Sequence, residues 1–234
     1  MCGRYTTPDK AAIDQNFHID HHDWSGLIKR FNVGPTMSVP ILYTPEGDAV
    51  VGTIARWGLI PSWWKKESLP TMTFNARSEE AATKPMWRHG MRTSRCLMPA
   101  CGWYEWNENE KVTHDSGRKT NQPYFFYSPK DEVIAIAGLW STWQAPNGDE
   151  VLSCALLTKE TTTKGLAEIH HRMPVVLNPS QFSTWLSPKS TGKDVEAMIE
   201  SSRIDFLAHR VSIKVNSTRN DSPELIREIQ TDKL

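Results

Sequence analysis

Residues 133–158 read VIAIAGLWSTWQAPNGDEVLSCALLT. Two apolar, β-prone runs, Val133–Trp140 and Glu150–Thr158, flank APNGD at 145–149, a turn signal in which Asn-Gly supplies residues at ease with positive φ. The segment therefore reads as two antiparallel strands joined by a turn. Upstream, Gln122–Tyr127 reads as a third strand, and Val39–Tyr43 and Ala49–Arg56 as another pair around the hairpin-like PEGD at 45–48. Downstream, Val175–Leu177 is a short apolar run, NPSQF (178–182) opens a helix with Asn178 or Ser180 as cap, and His209–Val215 reads as a strand. Helices are expected over Asp9–Phe17, over Asn75–Arg92 with a break at Pro85, and over Lys193–Ser201. Short strands outnumber helices and rarely alternate with them. That pattern indicates an α+β fold with a mainly antiparallel, curved sheet, its closing strands packed against those near the start. The expectation is a single compact domain over 1–234, with peripheral helices and a polar C-terminal tail.

Composition narrows the function classes. A hydrophobic fraction of 38% and a charged fraction of 23% allow a sizeable core and argue against disorder. No apolar run approaches the roughly 20 residues of a membrane span, and MCGRYTTPDK lacks the pattern of a secretory signal, so the chain is expected in the cytoplasm, or the nucleus where there is one. The cysteines at 2, 96, 101 and 154 form no CxxC pair, and the eight histidines show no HExxH spacing, so no metal is expected. Without GxGxxG or GxxxxGK[ST], no cofactor is expected either. Two features stand out in a chain with 27 basic and 27 acidic residues. Eight of the ten tryptophans lie between 57 and 143, and Arg56–Arg95 carries eight basic residues against three acids. Cations beside flat aromatic faces suit single-stranded nucleic acid, although aromatics equally fill cores.

Four segments could carry chemistry. Cys2 follows the initiator methionine, and removal of Met1 would leave an α-amine and a β-thiol on one residue. With an aldehyde the amine gives a Schiff base and the thiol can close a thiazolidine, a reaction open only to an N-terminal cysteine. Phe74–Glu79 places Asn75 and Arg77 two residues apart at a strand-to-helix junction, where Asn75 could equally be a helix cap. Cys101–Trp106 sets Glu105 among aromatics, which would raise its pKa if desolvated and suit it to acid/base work; exposed on a strand, it would do nothing. Ile169–Pro174 gathers His170, His171 and Arg172 ahead of a strand.

In order along the chain, MCGRY, RFNVGPT (30–36), RWGLIPSWW (56–64), FNARSE (74–79), RCLMPACGWYEW (95–106) and IHHRMPVVL (169–177) resemble the SRAP (SOS response-associated peptidase) family over residues 2 to about 220. The resemblance implies a compact α+β domain around a barrel-like β core. It implies a sensor of abasic sites in single-stranded DNA that forms a reversible covalent DNA–protein crosslink through Cys2, acts as a monomer and gathers at the nucleoid when bound to DNA. The family name adds a peptidase activity, read as removal of residues ahead of the cysteine, and lyase-like chemistry is implied as well. Carried over by position, Cys2 is the nucleophile, Asn75 holds the Cys2 amine or the sugar oxygen, Glu105 is the acid/base that opens the sugar, and His170 assists crosslink reversal, with His171 turned away. Arg4, Asn32 and Arg77 are implied to bind the DNA backbone, Arg172 to lie near a phosphate, and Trp63 and Trp64 to stack on bases. Two positions depart from the family pattern: Cys101 stands where aspartate is expected and Gly34 where alanine is usual. Two other functions fit the same residues. One is an N-terminal-nucleophile cysteine peptidase or amidohydrolase; the other is a non-covalent binding module for single-stranded DNA or a modified base.

Overall fold

A computed structural model describes residues 2–45, 49–114 and 117–229. Met1 and residues 46–48 of the PEGD turn lie outside the described residues. The hairpin of the opening stretch forms as expected and extends further, with Ile134–Gln144 pairing antiparallel to Glu150–Glu160 from Gly138↔Leu156 to Gln144↔Glu150. It is part of a closed circuit. Ile134–Gln144 pairs with Arg95–Ala100, which pairs with Ser38–Tyr43, which pairs with Val51–Trp57. Val51–Trp57 then returns to Glu150–Glu160 through a short parallel contact, Ser153↔Arg56 and Cys154↔Trp57, and closes a five-stranded barrel.

A second, antiparallel sheet lies against this barrel in the order Leu207–Arg210, Lys119–Tyr127, Gly102–Thr113, Arg4–Thr7, Arg30–Val33. The chain passes from barrel to sheet at Cys101, whose main-chain N–H donates to Thr6 O at 3.0 Å. Period-two alternation decides what each strand contributes. Ile134 and Ile136 join Trp57, Met98, Cys154 and Leu156 in the core shared with Tyr5, Trp103 and Phe126 of the sheet. Ala135, Ala137 and Leu139 face the other way, onto a core completed by Met91, Trp185 and Met198 beneath the helices.

The peripheral elements follow local chemistry. Asp9 caps the helix Lys10–Asn16 by accepting from Ala12 N at 2.9 Å, and Thr191 with Asp194 makes a capping box on Gly192–Glu200. Asn178 caps a 3₁₀ turn, Pro179–Gln181, that leads into the helix Phe182–Leu186. The helix expected from Asn75 begins later. Asn75–Arg77 is a strand parallel to Leu156–Thr158, and helix resumes as Ser78–Ala81 and Arg88–Thr93. The last expected strand is shorter, Leu207–Arg210, and a 3₁₀ turn at Ile213–Asn216 follows it. This closing segment is bound to the start of the chain: the Asn32 amide donates to the carbonyls of Val215, Ser217 and Asn220, and Asp221 accepts from Phe31 N at 2.6 Å.

Candidate active site

The site lies where the first strand meets the barrel. Arg4–Thr7 pairs with Gly102–Thr113 at Arg4↔Tyr104 and Tyr5↔Trp103. Alternation then puts Trp103 and Glu105 on the barrel side, whereas Tyr104 and Trp106 pack together on the opposite side. Glu105 is only 1% exposed because its strand is pressed against the barrel, and the neighbours in sequence, Tyr104 and Trp106, do not cover it. Cys2, just ahead of the first strand, is fully buried in the same core.

Three contacts organise the centre. The Asn75 Nδ2 donates to the Cys2 carbonyl oxygen at 2.7 Å, and Asn75 Oδ1 is buried without a partner among the described residues. The Cys2 thiol lies 3.8 Å from the Arg4 carbonyl, a weak contact. His170 Nε2 stands 3.5 Å from Glu105 Oε2. On the other side of its ring, His170 Nδ1 is 2.9 Å from the Arg172 carbonyl oxygen and 3.1 Å from the Arg172 nitrogen. We assign the ring proton to Nδ1, donating across the shorter contact, which leaves the Nε2 lone pair facing Glu105.

Burial sets the protonation states. It pushes the Glu105 carboxyl up to about 8 and the His170 imidazole down to about 4. It also raises the Cys2 thiol well above its ordinary range, helped by the charge of Glu105. Near neutral pH the centre therefore holds an acid proton on Glu105 opposite an uncharged imidazole. Such a pair can give and take a proton without moving a net charge into the core.

The other expected residues are placed unevenly. Trp63 is 53% exposed; Trp64 is partly exposed, donates from Nε1 to Ser68 O at 3.0 Å, and has its ring 6.1 Å from that of Trp63. Arg77 is exposed at the end of the Asn75–Arg77 strand. Arg4 donates to Asn32 Oδ1 at 2.8 Å and Val215 O at 2.7 Å, and Asn32 is fully buried. Arg172 is buried and paired bidentately with Glu79 at 2.7 and 2.9 Å. His171 is exposed and stacks on His170 at 4.7 Å between ring centroids. Thus Cys2, Asn75, Glu105 and His170 come together, Trp63, Trp64 and Arg77 reach the surface, and Arg4 and Asn32 tie the first strand to the closing segment. Sequence reasoning misses Glu79, the last residue of FNARSE, whose one signal is its place four residues after Asn75. Among the described residues, no group of three or more His, Cys, Asp or Glu could hold a metal ion. At Gly34 an added Cβ would lie 3.0 Å from Thr218 Cγ2 and 3.3 Å from Arg4 Nε, so alanine there requires these two side chains to give by a few tenths of an ångström.

A family model described as SOS response associated peptidase (SRAP) matches residues 1–218. The chain belongs to the SRAP family. Among its SRAP relatives, it is 33% identical to the Abasic site processing protein YoqW of Bacillus subtilis over 97% of this chain and 99% of that one. It is 32% identical to the Abasic site processing protein YedK of Escherichia coli over 98% and 100%. A crystal structure of a protein from Bacteroides thetaiotaomicron shares the SRAP fold seen here, with a TM-score of 0.79 at 21% identity over 98% of this chain and 100% of that one.

Proposed function

We propose that this SRAP protein processes abasic sites in single-stranded DNA by forming a reversible covalent adduct through Cys2. Removal of Met1 frees the Cys2 amine. The ring-opened deoxyribose presents an aldehyde; the amine adds to it and one water leaves, giving an imine. The thiol then adds to the imine carbon, its proton passing to nitrogen, and a thiazolidine closes. One C–N and one C–S bond form, and the aldehyde oxygen departs as water.

The observation that carries this reading is the buried pairing of a protonated Glu105 with a neutral His170 beside Cys2. Ring opening of the sugar hemiacetal and loss of water both need an acid, and Glu105 keeps its proton at neutral pH. The imidazole can accept that proton and return it during reversal. Asn75 fixes Cys2 by its carbonyl, and its Oδ1, without a partner among the described residues, suits an amine or a sugar hydroxyl. Exposed Trp63, Trp64 and Arg77 offer stacking and charge to the strand on either side. The names of the relatives YoqW and YedK support the abasic substrate. The peptidase alternative draws less support, because burial, helped by the charge of Glu105, holds the Cys2 thiol well above its ordinary range.

Intact mass spectrometry after incubation with an oligonucleotide carrying one abasic site tests the proposal. The protein, without Met1, gains the oligonucleotide mass less one water, and Cys2→Ala gains nothing. An adduct of equal yield on Cys2→Ala refutes it.

A further inference from the structure

We propose that Glu79 and Arg172 form a positioning pair that fixes the His170 imidazole, so that Arg172 acts through the ring instead of gripping a DNA phosphate. The role in turnover rests on the adduct chemistry proposed above; the positioning itself does not.

The geometry runs through three neighbouring strands. Asn75–Arg77 pairs with Leu156–Thr158, and on the other edge Thr158↔Pro174 and Glu160↔Arg172 join Glu150–Glu160 to Arg172–Pro174. The Asn75 strand and the His170 turn thus lie on opposite sides of one strand. The Glu79–Arg172 bridge crosses over it. Glu79 stands on the short helix Ser78–Ala81 that follows the Asn75 strand, and both its oxygens accept from the Arg172 fork. Arg172 Nη2 also donates down to the crossed strand, to Thr158 O at 2.8 Å and Thr158 Oγ1 at 3.1 Å. A planar guanidinium held at three acceptor groups has little freedom, and its backbone shares the restraint.

That backbone is what touches His170. Arg172 presents both its N–H and its C=O to Nδ1, at 3.1 and 2.9 Å. These contacts demand opposite tautomers, so a small rotation of the Arg172 peptide groups decides whether Nε2 faces Glu105 as an acceptor or as a donor. Pinning the Arg172 side chain holds the carbonyl in the nearer position. The same bridge also couples Asn75, which holds Cys2, to His170.

A phosphate-binding role is harder to build. Arg172 is 7% exposed, both its Nη groups are already committed to Glu79, and Nε, its one donor without a partner among the described residues, is itself buried. The Glu79 side chain, 46% exposed, turns a negative charge toward any approaching phosphate.

The test compares the parent with Glu79→Gln, Glu79→Asp and Arg172→Gln. Three quantities are read: the ¹⁵N ring shifts of His170 in the free protein, the saturating rate and half-saturating concentration of adduct formation, and the salt dependence of binding to an abasic single strand. Glu79→Gln should mix the His170 tautomers and lower the saturating rate roughly tenfold or more, with unchanged half-saturation. Glu79→Asp should recover most of both, and Arg172→Gln should leave the salt slope at the parental value. The proposal is overturned if Arg172→Gln lowers the log–log salt slope by about 0.7, as loss of one phosphate contact would. It is equally overturned if Glu79→Gln leaves the His170 ring signals as in the parent, whatever happens to the rate. A parent that forms no adduct refutes the proposed function alone, since the ring signals still decide the positioning.

Discussion

His170 Nε2 stands 3.5 Å from Glu105 Oε2, and burial holds each group in its uncharged form. The two shifts act on stability in opposite senses. Glu105 rises from 4.5 to about 8, so its contribution is complete below pH 4.5 and is lost as the pH climbs to 8. His170 falls from 6.5 to about 4, so its contribution is complete above pH 6.5 and is lost as the pH drops to 4.

Between pH 4.5 and 6.5 the two largely offset one another, and above 6.5 only Glu105 still titrates. The parent should therefore lose up to about 1.4 kcal/mol of stability per pH unit from 6.5 to 8 relative to Glu105→Gln. Urea unfolding of both proteins across that range measures the difference. Parallel pH profiles would show that Glu105 is ionised throughout.

In the reaction itself, His170 and His171 should separate cleanly. His170→Ala removes the base opposite Glu105 and should slow release of the adduct, so that more remains at long times. His171 is exposed and touches the centre only through its neighbour's ring, and His171→Ala should behave as the parent. Transfer of adduct to competitor DNA over time follows both. Control of release by His171 would place the acid/base function one residue further along.

Trp63 and Trp64 differ in what holds them. The Trp63 ring is largely exposed, so Trp63→Ala should weaken single-strand binding by about 1–3 kcal/mol while leaving the thermal midpoint in place. Trp64→Ala also removes the indole bond to Ser68 O, and should lower both. Fluorescence anisotropy with a labelled single strand, beside thermal melts, distinguishes them; parental affinity in Trp63→Ala would remove that residue from the interface.

Gly102 tests how the sheet seats Glu105. A Cβ there would lie 2.4 Å from the Phe126 carbonyl oxygen and 2.4 Å from Phe125 Cζ, so Gly102→Ala must push the paired strand away. A loss of about 1–3 kcal/mol or more is expected, with slower adduct formation because Glu105 is three residues along the same strand. Chemical denaturation of the variant measures the first and gel assays the second. Unchanged stability would mean that the two strands already slide freely at this point.

Much of the fold was legible because its signals are local. The 133–158 hairpin has alternation and Asn-Gly chemistry in one stretch, and Asn178 announces its cap. What was not legible depends on distant partners. Helix-forming residues follow Asn75, yet Asn75–Arg77 is a strand because Leu156–Thr158 offers it an open edge. The aromatics beside Glu105 suggested burial for an incomplete reason: Trp103 shares its face, but Tyr104 and Trp106 look away and the barrel supplies the cover. Arg172 reads in the sequence as a free cation next to two histidines. Only the fold brings Glu79, from 93 residues away, to meet it.

The hydrogen bond from Asn75 to Cys2 spans 73 residues, and of the two strands that pair with Arg4–Thr7, Arg30–Val33 is made early but Gly102–Thr113 lies further on still, meeting it at 102–104. On a ribosome adding roughly 5–20 residues per second, about 4–15 s separate synthesis of Cys2 from that of Asn75, and longer passes before Glu105 is made. Through that interval neither Asn75 nor the Glu105 strand exists to hold Cys2 in place, and an aminopeptidase at the exit tunnel has access to it. On the proposed function, maturation of the nucleophile would thus be timed by chain length: Met1 would be trimmed while the growing chain is still incomplete, and Cys2 sealed into the core only when the barrel arrives.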